Sequence, residues 1–264
     1  MIRKGLIALF TVLLLSGCSS VPITGRQQLL LVSDSEVLSS SLTQYDSYIK
    51  SSKKSTSVSQ TNKVKRVGKR IAEATERYLR ENNLSREIAN FKWEFNLIQD
   101  NQINAFCMPG GKIVVYEGLM KIAQTDDELA VVLGHEVAHA VAKHSNERMS
   151  QQLAAEYGAK ILSASLSDKS QTIQDMATSV YGLGAQYGLM LPFSRKHESE
   201  ADYMGLVLMT MAGYTPDVAI NFWKKMSAGS QGHIPEMMST HPSDATRINA
   251  IYKALPEIKR KYQK

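Results

Sequence analysis

Cysteine is scarce: the 264 residues hold two, Cys18 and Cys107. Two thiols cannot build a disulfide scaffold or a four-cysteine zinc site. Aromatic residues reach only 7%, and no basic tract is interleaved with them, so a nucleic-acid partner has no support. No apolar run approaches the roughly 20 residues of a membrane-spanning helix. Wholesale disorder is also excluded, because 43% hydrophobic and 21% charged residues are the proportions of a folded protein. The length suits one to two domains with a real core.

The amino terminus reads as a signal peptide over residues 1–17. Arg3 and Lys4 form a basic start, Leu6 to Leu15 an apolar stretch, and small residues follow. Leu15-Ser16-Gly17-Cys18 resembles a bacterial lipobox, which makes Cys18 the expected lipidation site. Several acyl chains there would anchor the chain firmly. Ser19, where retained lipoproteins carry Asp, gives the outer membrane, periplasmic side, as the expected location. The formal charge of +6 falls by two when Arg3 and Lys4 leave with the signal, and the remainder does not call for an acidic partner. Cys107 is left without an intrachain partner, as a buried thiol or a site of intermolecular pairing.

The sequence patterns predict an α+β, mainly helical domain with a small sheet before its first long buried helix. Residues 18–60 read as a lipidated segment and linker, with a mobile loop at Lys50 to Ser57. Residues 61–264 form the main domain. Apolar positions recur at helical spacing from Asn62 to Asn82. Phe91, Trp93, Phe95 and Leu97 alternate as in a strand. Ile103 to Cys107 and Lys112 to Tyr116 flank the turn Pro109-Gly110-Gly111, and the second of these is the expected sheet edge. Asp126 and Asp127 could cap a helix running to about Lys143. Val180 to Ser194 carries no charge and is expected to be a buried helix or hairpin. Helices are expected over Ser194 to Met211, Pro216 to Ser227 and Ser243 to Leu255.

The chemistry centres on His135-Glu136-Val137-Ala138-His139. On a helix, residues four apart share a face, so both imidazoles can reach one Zn²⁺. Glu136 is one residue round, where it can touch a metal-bound water without ligating the metal. Apolar flanks bury this helix, and a buried His-Glu-His group without a cation would be costly to desolvate. A catalytic zinc usually needs a third ligand. Downstream, Glu198 and Asp202 share a helix face, and spacing favours Glu198 over His197 or Glu200. Asp202 could orient a ligand.

These residues resemble the gluzincin family that includes HtpX and the CAAX prenyl endopeptidases. The likeness extends through Asn104-Ala105-Phe106, Pro109-Gly110-Gly111, Glu117-Gly118-Leu119, Ser194-Arg195 and Glu200-Ala201-Asp202. Thr24-Gly25-Arg26 and His241-Pro242 add to it. The match is nearest to the soluble periplasmic lipoprotein branch of LoiP type. The resemblance implies a zincin-like fold, one Zn(2+) per chain on His135, His139 and Glu198, and Glu136 as general base, with Asp202 assisting. It implies a metalloendopeptidase serving protein quality control on unfolded or misassembled envelope proteins, with envelope chaperones or proteases as possible partners. Arg195, Asp202 and His241 are candidate donors to the oxyanion of the reaction. His241 is either a surface or supporting residue, or a fourth, displaceable ligand that keeps the enzyme latent. His144 and His233 are expected to face solvent or to be structural. The competing class is a non-proteolytic chaperone or binding module that uses the same groove.

Overall fold

The computed structural model describes residues 18–167, 169–185, 191–228, 237, 241 and 245–263. The signal-peptide reading of residues 1–17 and the expectation for His233 lie outside them.

A hairpin opens the described chain. Strand β1 (Cys18–Ser20) pairs antiparallel with β2 (Gln27–Leu29). Helix α1 (Asp34–Ser51) follows, started by a capping box in which Ser33 and Glu36 exchange bonds with each other's backbone. Helix α2 (Val58–Glu81) buries Val64, Val67, Ile71 and Leu79 along one stripe, as amphipathic spacing requires.

The sheet has the order β3–β5–β4, from β3 (Glu94–Ile98), β4 (Ala105–Met108) and β5 (Lys112–Tyr116). β5 runs parallel to β3 and antiparallel to β4. The expectation that β5 forms the edge is therefore corrected: it is the central strand. The reason is visible in Ile113, Val114 and Val115, all fully buried. Consecutive apolar residues, rather than alternating ones, mark a strand covered on both faces. The edge beside the long buried helix is β4.

The linker reading of the amino-terminal region also changes. α1 packs on the outer face of the sheet, with Tyr45 joining Ile98, Val114 and Tyr116 in a second apolar cluster. The segment read as a mobile loop is tied down. Ser55 N–H donates to the Leu97 carbonyl and Gln99 N–H to that of Lys53, which covers the free side of β3. Its lysines are exposed, while Ser52 and Ser55 are half-buried and donate to the Tyr48 carbonyl and to Glu117.

Helix α3 (Asp126–Val141) begins with a second capping box, between Thr125 and Glu128. Every residue from Leu129 to His139 is buried. Helices α4 (His144–Ser165) and α5 (Gln171–Ala185) follow, then α6 (Leu191–Met211), α7 (Val218–Ser227) and α8 (Ala245–Tyr262). Val180, on α5, is 65% exposed, so the uncharged stretch from Val180 is not a buried helix at its start. Among the described residues no helix is long and apolar enough to cross a membrane.

Where α3 and α6 cross, their backbones are in contact. A Cβ on Gly134 would lie 2.7 Å from the Gly205 carbonyl oxygen, and one on Gly205 would lie 2.7 Å from the His135 nitrogen. Glycine at both positions lets the two backbones touch. Gly134→Ala should destabilise the fold by about 1–3 kcal/mol, the range for overpacking a dense interior. Urea unfolding of the variant measures this, and an unchanged midpoint would contradict the backbone contact.

Candidate active site

The α3–α6 contact places His135 and His139 opposite Glu198 inside the protein. His135 is 1% exposed, Glu198 3% and His139 9%. The two Nε2 atoms stand 3.1 Å apart. Glu198 Oε2 lies 3.3 Å from His135 Nε2 and its Oε1 lies 3.5 Å from His139 Nε2. His241 completes the group, with Nδ1 3.0 Å from Glu198 Oε2 and 3.3 Å from His135 Nε2. One ligand atom from each of these four residues falls within 4.8 Å of all the others.

The far ring nitrogens explain why a cation fits. His135 Nδ1–H donates to Asp202 Oδ1 at 3.0 Å. His139 Nδ1 lies 2.8 Å from His144 Nδ1, and His144 Nε2 lies 3.0 Å from Glu200 Oε2. Glu200 accepts from His144, so His144 Nδ1 is left to accept from His139. Both histidines can thus hold one proton away from the centre and leave Nε2 to face a cation beside Glu198; without one, Asp202 and Glu198 outweigh desolvation and raise the His135 pKa to about 9. Such a cluster of lone pairs and a carboxylate is the donor set for zinc.

Glu136 lies beside the group. Its Oε2 accepts from the Cys107 backbone N–H of β4 at 3.2 Å. Its Oε1 is buried without a hydrogen-bond partner, and His241 Nε2 is 3.6 Å away. Burial raises the Glu136 pKa, against the lowering effect of His241 and His135. Burial also raises the Cys107 thiol, which leaves it protonated and unsuited to nucleophilic work.

Asp202 is fastened from behind by a residue that sequence reasoning missed. Arg247, on α8, is 5% exposed. It donates to Asp202 through Nε at 2.7 Å and Nη2 at 2.8 Å, and through Nη1 to the His241 carbonyl at 3.2 Å. Its guanidinium also lies over the Trp223 ring, 5.2 Å from the centroid. Arg247 stands at helical spacing with the buried Ile251, Leu255 and Ile258, and that apolar stripe is the signal that could have placed it inward. His241 is brought in by its backbone: its N–H donates to the Met237 carbonyl, and Met237 N–H donates to that of Ile103.

Other expected residues fall elsewhere. Arg195 is exposed on α6 and lies outside the ligand group. His197 is buried, but its Nε2 is 2.8 Å from Glu147 and its ring stacks on His144 at 4.2 Å. His144 is 1% exposed, so its solvent-facing reading is corrected: Lys143 adopts a left-handed turn (φ 57°) that folds α4 back against the end of α3. Cys18 starts β1.

A His-Glu-x-x-His helix crossed by a helix that supplies a buried Glu defines a zincin-like metallopeptidase. The comparisons give the family. The model of peptidase family M48 matches residues 59–255, and the chain belongs to that family, whose members use zinc. It is 41% identical to the mitochondrial metalloendopeptidase OMA1 of Schizosaccharomyces pombe over 172 residues, 64% of this chain and 49% of that protein. It is 27% identical to human OMA1 over 262 residues, 94% of this chain and 48% of that protein. It is 28% identical to the beta-barrel assembly-enhancing protease of Escherichia coli K12 over 160 residues, 59% of this chain and 33% of that protein. The chain thus spans about half or less of these relatives.

The expected outer-membrane location is overturned by the mitochondrial names of the OMA1 relatives. That expectation rested on the signal-like order of residues 1–17, the string ending at Cys18 and the side chain of Ser19, local features that do not fix a compartment.

The buried carboxylates also set an acid limit. His144, Arg26 and Thr24 outweigh desolvation and hold Glu200 down to about 2. His197 and Arg26 do the same for Glu147, also to about 2. Both fall from an ordinary value of 4.5, so their stabilisation is full above that value and is lost as pH falls from there toward about 2. Thermal unfolding should therefore show a melting temperature that drops steeply below about pH 4.5. Equal melting temperatures at pH 3 and pH 6 would contradict the network.

Proposed function

We propose that the chain binds one zinc ion between His135, His139 and Glu198 and cleaves peptide bonds in extended segments of unfolded or misassembled proteins. The observation that carries the reading is the convergence of the three ligands beside the unpartnered oxygen of Glu136. A zinc ion held there supplies Lewis acidity and a water that is readily deprotonated near neutral pH. With zinc bound, Glu136 would serve as the general base, accepting a proton from the attacking water and returning it to the leaving amine. Its burial, by raising its proton affinity, suits it to hold that proton between the two events. The Cys107 N–H keeps Glu136 turned toward the site. Asp202 and His144 orient the two ligand histidines from behind.

The edge of β4 beside Glu136, which pairs with no strand among the described residues, is the proposed substrate track. A peptide in extended form adds there through backbone bonds, which select conformation more than sequence. Unfolded segments meet that requirement and folded domains do not. The narrower class, misassembled envelope proteins, draws support from the name of the bacterial relatives, beta-barrel assembly-enhancing proteases. The lipoprotein branch, with an acyl chain on Cys18, is also part of the proposal, on the support of Leu15-Ser16-Gly17-Cys18.

His241 occupies the place of a fourth ligand, which in a catalytic site belongs to water and substrate. We read it as a displaceable ligand that holds the free enzyme latent. His241→Ala should then raise hydrolysis of an unfolded protein such as casein, and unchanged or lower turnover would remove the latency.

Glu136→Gln should lower cleavage by about 10²–10⁴-fold, the usual share of a general base, with zinc still bound by elemental analysis. Cleavage at the wild-type rate would sink the peptidase mechanism. Full biological function of that variant would instead favour the chaperone reading.

A further inference from the structure

The hairpin β1–β2 reaches the metal group from the opposite end of the chain. Its tip is tightly built: Val21 N–H donates to the Arg26 carbonyl and Gly25 N–H donates to that of Val21. Ile23 sits at φ 70°, a left-handed conformation that is uncommon for a β-branched residue. Val21 is 1% exposed within the main core. Surrounding structure, not local preference, therefore holds this turn.

What the turn presents is Arg26. Its Nε donates to Glu200 Oε2 at 2.8 Å, and its Nη1 and Nη2 donate to the two oxygens of Glu147 at 2.9 and 2.7 Å. Thr24 Oγ1–H donates to Glu200 Oε1 at 2.5 Å. Glu200 in turn holds His144 Nε2, and His144 holds the far nitrogen of His139. Glu147 holds His197, whose ring is stacked on that of His144. Both carboxylates that fix the position of His144 are thus gripped by one guanidinium. A planar fork suits that double grip, and an ammonium does not.

We propose that Arg26 is a positioning residue of the metal centre, acting through Glu200 and His144 on His139, and that the amino-terminal turn is thereby an integral part of the active site. The inference rests on the reading of His139 as a zinc ligand. His135 is braced by Asp202, which Arg247 of the carboxyl-terminal helix holds, while His139 is braced through His144 and Glu200 from the amino-terminal hairpin. Each ligand histidine then depends on a different end of the chain. Loss of an outer partner of a ligand histidine typically weakens metal binding about 10–100-fold.

The test measures zinc affinity of the full chain by competition with a chromophoric chelator, together with the melting temperature of the zinc-free protein. Arg26→Ala should weaken zinc binding at least about tenfold, and Arg26→Lys should not restore it. Val21→Ala removes packing from the same hairpin without touching the relay. It should lower the melting temperature while leaving zinc affinity within about twofold of wild type. In Arg26→Ala combined with His144→Ala, affinity should fall no further than in His144→Ala alone, because one route carries both effects. Unchanged affinity in Arg26→Ala overturns the proposal. Equal losses of affinity in Val21→Ala and Arg26→Ala reduce Arg26 to a fold-stabilising contact and overturn it too. Additive losses in the double variant overturn the route through His144. Wild-type protein that binds no zinc overturns the metal reading itself, a result distinct from zinc bound equally by both.

Discussion

The contact on which the site depends is the backbone approach of α3 and α6 at Gly134 and Gly205. Any side chain there would meet backbone at 2.7 Å. Helices with larger residues at the crossing would stand farther apart. Glu198, two turns before Gly205, would then fall short of His135, one residue past Gly134. The metal group is thus set by the absence of two side chains as much as by the presence of four.

Around this crossing the protein invests polar groups in depth. His135 leads to Asp202 and then to Arg247, and His139 leads to His144, Glu200 and Arg26. Each chain ends on a cation, which compensates a carboxylate that would otherwise be costly to bury. Each also fixes which ring nitrogen carries the proton. The candidate active site is consequently larger than its four central residues. It draws on the amino-terminal hairpin, α3, α4, α6 and α8. Among the described residues no strand pairs with the outer edge of β4 next to Glu136, while α1 covers the outer face of the sheet and residues 53–55 cover its β3 edge.

Much of this was readable beforehand because the signals were local. The amphipathic stripe of α2, the alternation before β3, the Pro109-Gly110-Gly111 turn and the capping residues of α3 all act within a few positions. α1 was not readable as a helix, because its inward stripe of Val37, Ser41 and Tyr45 includes a serine, which blurs the apolar period. β5 was misplaced to the edge because the identity of its second neighbour, β3, is a long-range fact. The shared face of His135 and His139, with Glu136 beside it, followed from spacing on one helix, whereas the partners of Arg247 and Arg26 are Asp202, Glu200 and Glu147, far away along the sequence.

The sequence by itself determined the chemistry available: two histidines and a glutamate on one helix turn, and an acidic pair on another, at spacings that helical geometry converts into shared faces. The tertiary structure decided which of the downstream candidates meets them. Glu198 faces the histidines, and His197 and Glu200, only one and two residues away, turn into the network that ends on Arg26. It also decided that His241 stands beside the ligands and that Arg195 does not. Period and spacing are properties of a single helix. Which rotation of that helix faces its neighbour is set by packing, here by two glycines that permit only one close approach.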